Sequence, residues 1–510
     1  MDQTGAKDTV LRAAAREQFR DDYGNRRDPI YGDRLLWRAQ TFRHMVHILP
    51  GQTILELGAG AGMFTRQLAT VTRGENRITA VTFGGGTHLE TDDAIERLHL
   101  NELPGVLEGR TFDCIVGLDL LDQYNCISFL QWTHKLLKPG GQVLFYESNP
   151  WNVILILRRF ISRYTGHPDP RRLLNQQRLY ELLSEIGFVR ILAVYNDFVY
   201  APLNRPTIWL LRNLSILLEN LPFVRTLAGS LLIYAQKPGE ISTVPSTSLC
   251  EHASLQHAVS VVVPCHNEVM NVRPLVTRLI ALYGDYLHEI VLVDDNSRDG
   301  TADMIRALTV DFPIVKGVFR QPPNGVGRAL SEGYRATTGP YVLTMDCDFL
   351  HLLPEVRDLF DAAVEGSDVV VGSRFSRHSV LLNYPFQKII VNRVFHLIAQ
   401  LVFHRRFRDL TNNLKLFRRE VVEAMSLNEP HFAVNAETGL QPLLMGFTIK
   451  EVPISWINRK PDMGVSSFHL VKVGGDYWRV LIRLAWMTRF GFRNLNRRKA
   501  PFTPDAKSAP

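Results

Sequence analysis

The chain has 510 residues. That is well above the roughly 250–300 residues at which a single hydrophobic core stops growing, so two domains are expected. Hydrophobic residues make up 45% and charged residues 21%, an ordinary globular composition that argues against a disordered or fibrous chain. The net charge of +7 is mild for this length. It suits contact with anionic phosphates or an anionic membrane face, and no motif resembles an RNA- or DNA-reading module, so nucleic acid is not an expected partner.

The five cysteines are odd in number and none pair at CxxC spacing. Neither a disulfide framework nor a zinc site is expected, which fits a reducing cytosol. The first residues are polar and charged, without the apolar core of a signal peptide. No stretch reaches the roughly 18 uninterrupted apolar residues of a membrane span. Trp209–Tyr234, Ile389–Phe403 and Val480–Phe492 come nearest, and each is broken by charged or polar residues. They read as buried or amphipathic elements. The expected location is cytoplasmic, with peripheral contact at the inner face of a membrane left open.

In chain order, Thr53–Leu57 reads as a short strand and Gly62–Ala69 as a helix. Arg77–Thr82, Phe112–Leu118 and Gln142–Tyr146 read as further strands, the last following the turn Lys138-Pro139-Gly140-Gly141. Residues 238–257 are rich in Ser, Thr and Pro, lack periodicity and read as a linker. The alternation then restarts: strands over Val259–Val263, Glu289–Val293, Val315–Phe319 and Tyr341–Met345, with helices between them over Val272–Leu282, Thr301–Leu308 and Val326–Thr337. Strands alternating with helices predict parallel sheets covered on both faces. The tail, 491–510, is expected to be disordered.

The run Ile54-Leu55-Glu56-Leu57-Gly58-Ala59-Gly60-Ala61-Gly62 is an apolar strand entering a glycine turn and a helix. Such a turn lets a cofactor lie on bare backbone at a helix start. With Phe112-Asp113-Cys114-Ile115-Val116 and the run Leu137–Leu144 at the expected distances, it resembles class I S-adenosylmethionine-dependent methyltransferases over about residues 40–237. The resemblance implies a seven-stranded sheet with its last strand reversed, for which Leu231–Gln236 is suited. It also implies a cofactor, S-adenosyl-L-methionine, lined by Glu56, Gly58, Gly60 and Gly62, with Glu102 facing the adenine. One departure stands out. The end of the second strand, Ala80-Val81-Thr82-Phe83, lacks the carboxylate that would hold the ribose hydroxyls. An unmade buried hydrogen bond of that kind costs about 1–3 kcal/mol. Methyl transfer to oxygen would need a base, and His88, Asp119 and Glu147 are candidates without a choice among them.

Four polar clusters follow the strands of the second half. They are Pro264-Cys265-His266-Asn267-Glu268, Asp294-Asp295-Asn296-Ser297, Asp346-Cys347-Asp348 and Gly372-Ser373-Arg374-Phe375. Placed at the C-terminal ends of strands in one sheet, they can converge on a single site. A departing diphosphate develops negative charge and calls for a hard divalent cation, Mg²⁺ or Mn²⁺, which carboxylates such as Asp346 and Asp348 prefer to bind.

Residues 259–470 resemble glycosyltransferase family 2, with a GT-A fold, and within it the dolichyl-phosphate mannose synthase and polyprenyl-phosphate sugar transferase group. The resemblance implies a UDP- or GDP-sugar donor. Pro264, Asn267, Glu268, Asp294, Asp295 and Asp346 would hold it, and Asp346 and Asp348 would hold the metal. It further implies that Arg374, Asp409, Lys415, Glu437 and Arg459 act at the transferred sugar or the acceptor phosphate. Leu350, Lys415 and Ser467 depart from the group's pattern of Gln, Arg and Lys at these places. Lys cannot offer the bidentate fork of Arg. Two acceptors remain open. A polyprenyl phosphate is already anionic and needs no base. A saccharide hydroxyl needs one, and Glu437 or Asp409 is the candidate. The glycines of Asn324-Gly325-Val326-Gly327 look like a phosphate loop but read better as a helix start that supports the site.

The expectation is therefore an α/β chain of two domains. A Rossmann-like methyltransferase sheet (1–237) precedes the linker (238–257) and a GT-A, Rossmann-like glycosyltransferase sheet (258–490). Both would serve one saccharide or lipid pathway. In the alternative, the first half is a non-catalytic binding domain. The sequence leaves the oligomeric state open.

Overall fold

The computed structural model describes residues 9–18, 20, 31–83, 94–101, 105–121, 123–164, 172–199, 205–239, 252–376, 378–382, 384–457 and 470–490. His88, Glu102, Arg459, Ser467 and the tail 491–510 lie outside these residues, as does most of the expected linker. The chain divides into two units. The first takes Met1–Pro245 together with Arg377–Ile389 and Ile454–Asn458; the second takes Ser246–Ser376, Ile390–Pro453 and Arg459–Pro510. Two short pieces from the second half of the sequence thus fold with the first half.

The first unit holds β1 (Ile54–Leu57), β2 (Ile78–Thr82), β3 (Ile95–His99), β4 (Phe112–Leu118), β5 (Leu137–Ser148), β6 (Val189–Asn196) and β7 (Ser230–Gln236). Their order is β3-β2-β1-β4-β5-β7-β6. β1 to β5 run parallel. β7 is antiparallel to both β5 and β6, the reversal expected of the last strand. β1 and β4 are buried along their whole length, as strands covered by helices on both faces must be. The expected turn at Lys138–Gly141 is absorbed into β5, where the register against β4 breaks between Phe112 and Cys114.

The second half of the chain contributes β8 (Val259–Cys265), β9 (Leu287–Asp294), β10 (Val315–Phe319), β11 (Tyr341–Thr344), β12 (Val369–Ser373), β13 (Val380–Leu382), β14 (Lys415–Arg418), β15 (Ile449–Pro453) and β16 (Ser455–Ile457). Seven of these form the sheet of the second unit in the order β10-β9-β8-β11-β14-β12-β15. β14 runs antiparallel between β11 and β12. β13 and β16 pair with each other in the first unit, and Val380 joins its core with Phe42, Phe64 and Tyr146. The α/β class and the two mixed, Rossmann-like sheets agree with the sequence reading.

In each sheet the strand order reverses once, beside β1 and β4 in the first and beside β8 and β11 in the second. A crevice opens at the carboxyl ends of such strands. Both glycine-rich and carboxylate-rich motifs fall there.

Among the described residues one helix, Phe386–Phe403, is long and apolar enough to cross a membrane by length and composition, with 22% of it buried.

Candidate active site

Strand register gathers the carboxylates of the second unit. Cys265 at the end of β8 lies opposite Asp294 at the end of β9, and the Asp295 N–H donates to the Cys265 carbonyl at 2.8 Å. Asp346 follows β11 by two residues, and β14 starts opposite its end, with Thr344 facing Lys415. That antiparallel start brings Asn413 beside Asp346, and its Nδ2 donates to Asp346 Oδ1 at 2.6 Å. Asp346 and Asp348 are half-buried around the fully buried Cys347.

The two aspartates after β9 differ. Asp295 is buried in an ion pair with Arg320 and accepts the Gly325 N–H at 2.6 Å. Arg320 in turn reaches Glu332 at 2.9 Å. Asp294 Oδ2 accepts only a long bond from the Ser297 N–H, at 3.3 Å, and Oδ1 is buried without a hydrogen-bond partner. A buried carboxylate oxygen with an unused lone pair is a ready acceptor for a ligand N–H or O–H. The loop after β8 is clasped to the loop after β9: the Asn267 N–H donates to Ser297 Oγ, and Asn267 Oδ1 accepts from Arg298 N, both at 2.9 Å. Glu268 N–H donates to Thr301 Oγ1 at 2.9 Å. Pro264, Asn267, Glu268, Asp294, Asp295 and Asp346 therefore do converge.

Arg374 and Asp409 converge too, but on each other. Arg374 Nε and Nη2 grip the two Asp409 oxygens at 2.7 and 2.9 Å, and the Arg374 N–H adds a third bond at 3.1 Å. Asp409 is fully buried. Burial alone would raise its pKa, yet the charge and hydrogen bonds of Arg374 hold the carboxyl well below the usual range. His396 beside it is pushed down to about 4 by burial, only partly opposed by Asp409.

Lys415 was expected at the acceptor phosphate. Instead it is fully buried, its Nζ donating to the Asn435 carbonyl at 2.9 Å and Thr438 Oγ1 at 2.7 Å. Burial lowers its pKa to about 7. β14 lies between β11 and β12 in the middle of the sheet, and its first residue is buried within electrostatic reach of Asp346 and Asp409. Glu437 is likewise buried. It accepts the Asn428 and Glu429 N–H groups, each at 3.0 Å, and pairs with Arg483. Burial raises its pKa.

The glycines after Asn324 serve packing, as expected of a supporting helix start. A Cβ on Gly327 would lie 1.9 Å from the Glu429 carbonyl oxygen, and one on Gly325 would lie 2.2 Å from that of Pro430. Only glycine lets this helix and the 429–430 loop approach so closely.

Among the described residues no group of three or more His, Cys, Asp or Glu side chains could hold a metal. Two carboxylates still suit Mg²⁺ or Mn²⁺. Such ions are commonly held by one or two carboxylates and completed by substrate phosphates and water. The donor set of Asp346 and Asp348 fits on those terms.

In the first unit, Gly58, Gly60 and Gly62 follow β1 with φ of 70°, 52° and 71°, the left-handed region, and Glu56 is buried beneath them. The sequence reading missed what covers this turn. Glu17, on the helix over residues 9–18, accepts the Gly60 N–H and, at 2.8 Å, the Phe83 N–H at the end of β2. Arg20 donates to the carbonyls of Gly58 and Leu118 at 2.6 and 3.0 Å. A carboxylate thus stands near the place where the sequence lacks one, supplied by a segment more than 60 residues earlier, since Glu17 and Phe83 are separated by 66. The available signal was a charge on an apolar face: Glu17 shares the helical face of Val10 and Ala13, which enter the core. Glu147, one of the candidate bases, accepts the Leu120 and Leu121 N–H groups at 2.9 and 3.0 Å. Burial, and then Asp119, push its pKa up to about 8.

Residues 260–426 match the family model Glycosyl transferase family 2. The second half of the chain therefore carries a family 2 glycosyltransferase domain, and its mixed sheet is consistent with the GT-A fold. Two curated relatives are similar to it. Dolichol-phosphate mannosyltransferase of Pyrococcus furiosus is 29% identical over 181 residues, a match covering 35% of this chain and 51% of that protein. The chain thus spans about half the length of that relative. Polyprenol monophosphomannose synthase of Mycolicibacterium smegmatis is 28% identical over 213 residues, covering 40% of this chain and 79% of that one. Among solved structures, glucosyl-3-phosphoglycerate synthase of Mycobacterium tuberculosis in complex with uridine diphosphate overlaps with a TM-score of 0.37 at 16% identity, over 45% of this chain and 80% of that chain.

Proposed function

We propose that the second unit transfers a sugar from a nucleotide-sugar to a polyprenyl phosphate, with inversion at the anomeric carbon. The donor would rest on Asp294, Asp295 and Asn267, and Asp346 and Asp348 would hold a divalent cation that offsets the charge of the leaving diphosphate. The observation that carries the choice of acceptor is the state of the two candidate bases. Asp409 is locked to Arg374 and Glu437 to Arg483, both fully buried. A hydroxyl acceptor would need a carboxylate free to take its proton. A phosphate acceptor needs none. Its oxygen attacks the anomeric carbon, the bond from that carbon to the diphosphate breaks, and the nucleoside diphosphate leaves. The names of the two relatives, a dolichol-phosphate mannosyltransferase and a polyprenol monophosphomannose synthase, support the same acceptor class.

For the first unit we propose an S-adenosylmethionine-binding fold acting on a product of the same pathway. The reversed β7 and the glycine turn support it. With Glu17 on the Gly60 N–H, a cofactor reaches that turn only when the helix over residues 9–18 yields. The enzyme would work in the cytoplasm at the inner face of a membrane, where polyprenyl phosphates present their head groups.

The test is a screen of UDP- and GDP-sugars with Mg²⁺ or Mn²⁺ and a polyprenyl phosphate, read by mass spectrometry of the lipid extract. A sugar phospholipid is expected. Asp346→Ala should lower its formation by about 100-fold or more, with an unchanged melting profile. Full turnover in Asp346→Ala would remove the metal assignment, and transfer to saccharide hydroxyls alone would favour the alternative acceptor.

A further inference from the structure

In the first unit the chain leaves β5 and enters a helix, Val153–Tyr164, that buries little of its apolar surface. Val153, Ile156, Leu157, Phe160 and Ile161 follow helical spacing along one face, and all five are between 49% and 60% exposed. A single exposed apolar residue means little, but a contiguous row of this kind marks an interaction surface. The helix carries three arginines, Arg158, Arg159 and Arg163, and no acidic residue.

The helix is held firmly in this position. Asn152 caps its start, accepting the Leu155 N–H at 2.9 Å. The same Asn152 donates to the Leu227 carbonyl at 2.9 Å. Asn149, fully buried, donates to the carbonyls of Thr226 and Ala228 at 2.8 and 2.7 Å. These bonds tie the turn Val224–Leu227 to the helix start. They also set two more exposed apolar groups at its edge: Trp151, 59% exposed, and Phe223, 88% exposed with φ of 64°. Arg225 in that turn adds another positive charge.

We propose that this surface is a membrane-docking face, and that it lays the C-terminal edge of the first sheet against an anionic lipid surface. Charge decides the occupant. An apolar row on a helix whose sequence carries three arginines and no acidic residue, with a tryptophan and a phenylalanine at its rim, matches the interface of a bilayer bearing anionic head groups. The helix begins five residues beyond the end of β5, next to the Glu147 and Asp119 edge, so a ligand entering there would come from the lipid side. The proposal rests on the geometry of the first unit alone and not on the acceptor assigned to the second.

The test is co-sedimentation of the full chain with vesicles of one part phosphatidylglycerol to three parts phosphatidylcholine, and with phosphatidylcholine alone. Binding to the anionic vesicles is expected, weakening as salt rises. The double variant Ile156→Asp, Phe160→Asp should lose about tenfold or more of that partition, with its melting profile and its nucleotide-sugar binding unchanged. Leu157→Ala with Phe160→Ala should lose less, in the same direction, and serves if the aspartates impair folding. The control variant Leu397→Asp, Leu401→Asp alters exposed residues of the Phe386–Phe403 helix of the second half. Partition lost there and kept in the Ile156/Phe160 variant would overturn the proposal. So would absence of binding by the unaltered chain. A dimer in light scattering that the Ile156/Phe160 variant abolishes, without vesicle binding, would assign the face to a second copy instead.

Discussion

The sequence suggests that Arg374 and Asp409 act in chemistry, whereas their geometry is that of a buried strut, and Asp409→Asn separates the two roles. Asp409 is fully buried, and each of its oxygens takes a bond from the Arg374 fork, with Thr411 Oγ1 adding a bond to Oδ1 at 3.1 Å. Removing one partner of a buried ion pair leaves an uncompensated charge and costs about 3–5 kcal/mol. For a unit of this size each kcal/mol shifts the melting temperature by about 2–4 °C, so the second unit should melt about 6–20 °C lower. Differential scanning calorimetry at neutral pH reads this directly, the second unit's transition being the one that a nucleotide-sugar raises. Replacing both partners, Asp409→Asn with Arg374→Met, should cost less than Asp409→Asn alone, because no orphan charge remains. The reasoning fails if Asp409→Asn melts within about 2 °C of the parent yet loses turnover. That result would put the carboxylate at the reacting atoms.

Three further outcomes are expected. His396 has Nδ1 on the Asn392 carbonyl at 2.7 Å and accepts the Leu410 N–H on Nε2 at 3.1 Å, an arrangement only the neutral ring satisfies. Its pKa of about 4 lies below the ordinary 6.5, so the unfolded chain takes up a proton that the folded one refuses. Stability should fall by about 3 kcal/mol as pH drops from 6.5 to 4, and urea midpoints of His396→Gln should lack that step. Gly327→Ala places a methyl group against the Glu429 carbonyl and should cost about 1–3 kcal/mol, read as a lower urea midpoint with unchanged slope. Glu17→Ala frees the Gly60 and Phe83 N–H groups, and calorimetric affinity for S-adenosylmethionine should rise by about tenfold or more, since each hydrogen bond to a charged group is worth about 1.5–3 kcal/mol. A weaker affinity would make Glu17 part of the cofactor site instead.

Local signals carried much of this molecule. The hydrophobic runs before Gly58, Asp294 and Asp346 mark β1, β9 and β11, and glycine or aspartate at a strand end places each motif in the crevice. What could not be read is long-range. β14 pairs with β11 and β12 from opposite sides, and nothing in Lys415–Arg418 signals that its first residue will be sealed in. The same holds for Asp409, whose partner Arg374 is 35 residues away. Glu17 reaches the glycine turn across 43 residues. The segments around Val380 and Ser455 fold with the first unit, although they sit inside the sequence of the second. A short, alternating pattern can reveal that a strand exists, but the identity of its neighbours depends on chain closure over distances that carry no period.

The close approach at Gly327 has a consequence for where the second unit ends. The Gly327 N–H donates to the Pro430 carbonyl at 2.9 Å, the Glu429 N–H donates to Glu437, and Arg483 bonds both Glu429 and Glu437. The stretch recognisable as family 2 stops at residue 426, ahead of all but the first of these residues. A chain trimmed there would keep every aspartate of the donor site and lose the loop against which the helix behind Asp295 is seated. A chain trimmed before Leu470 would strand two buried glutamates without their arginine. The family 2 stretch and the interval that holds these contacts are thus different, and the second runs to Arg483.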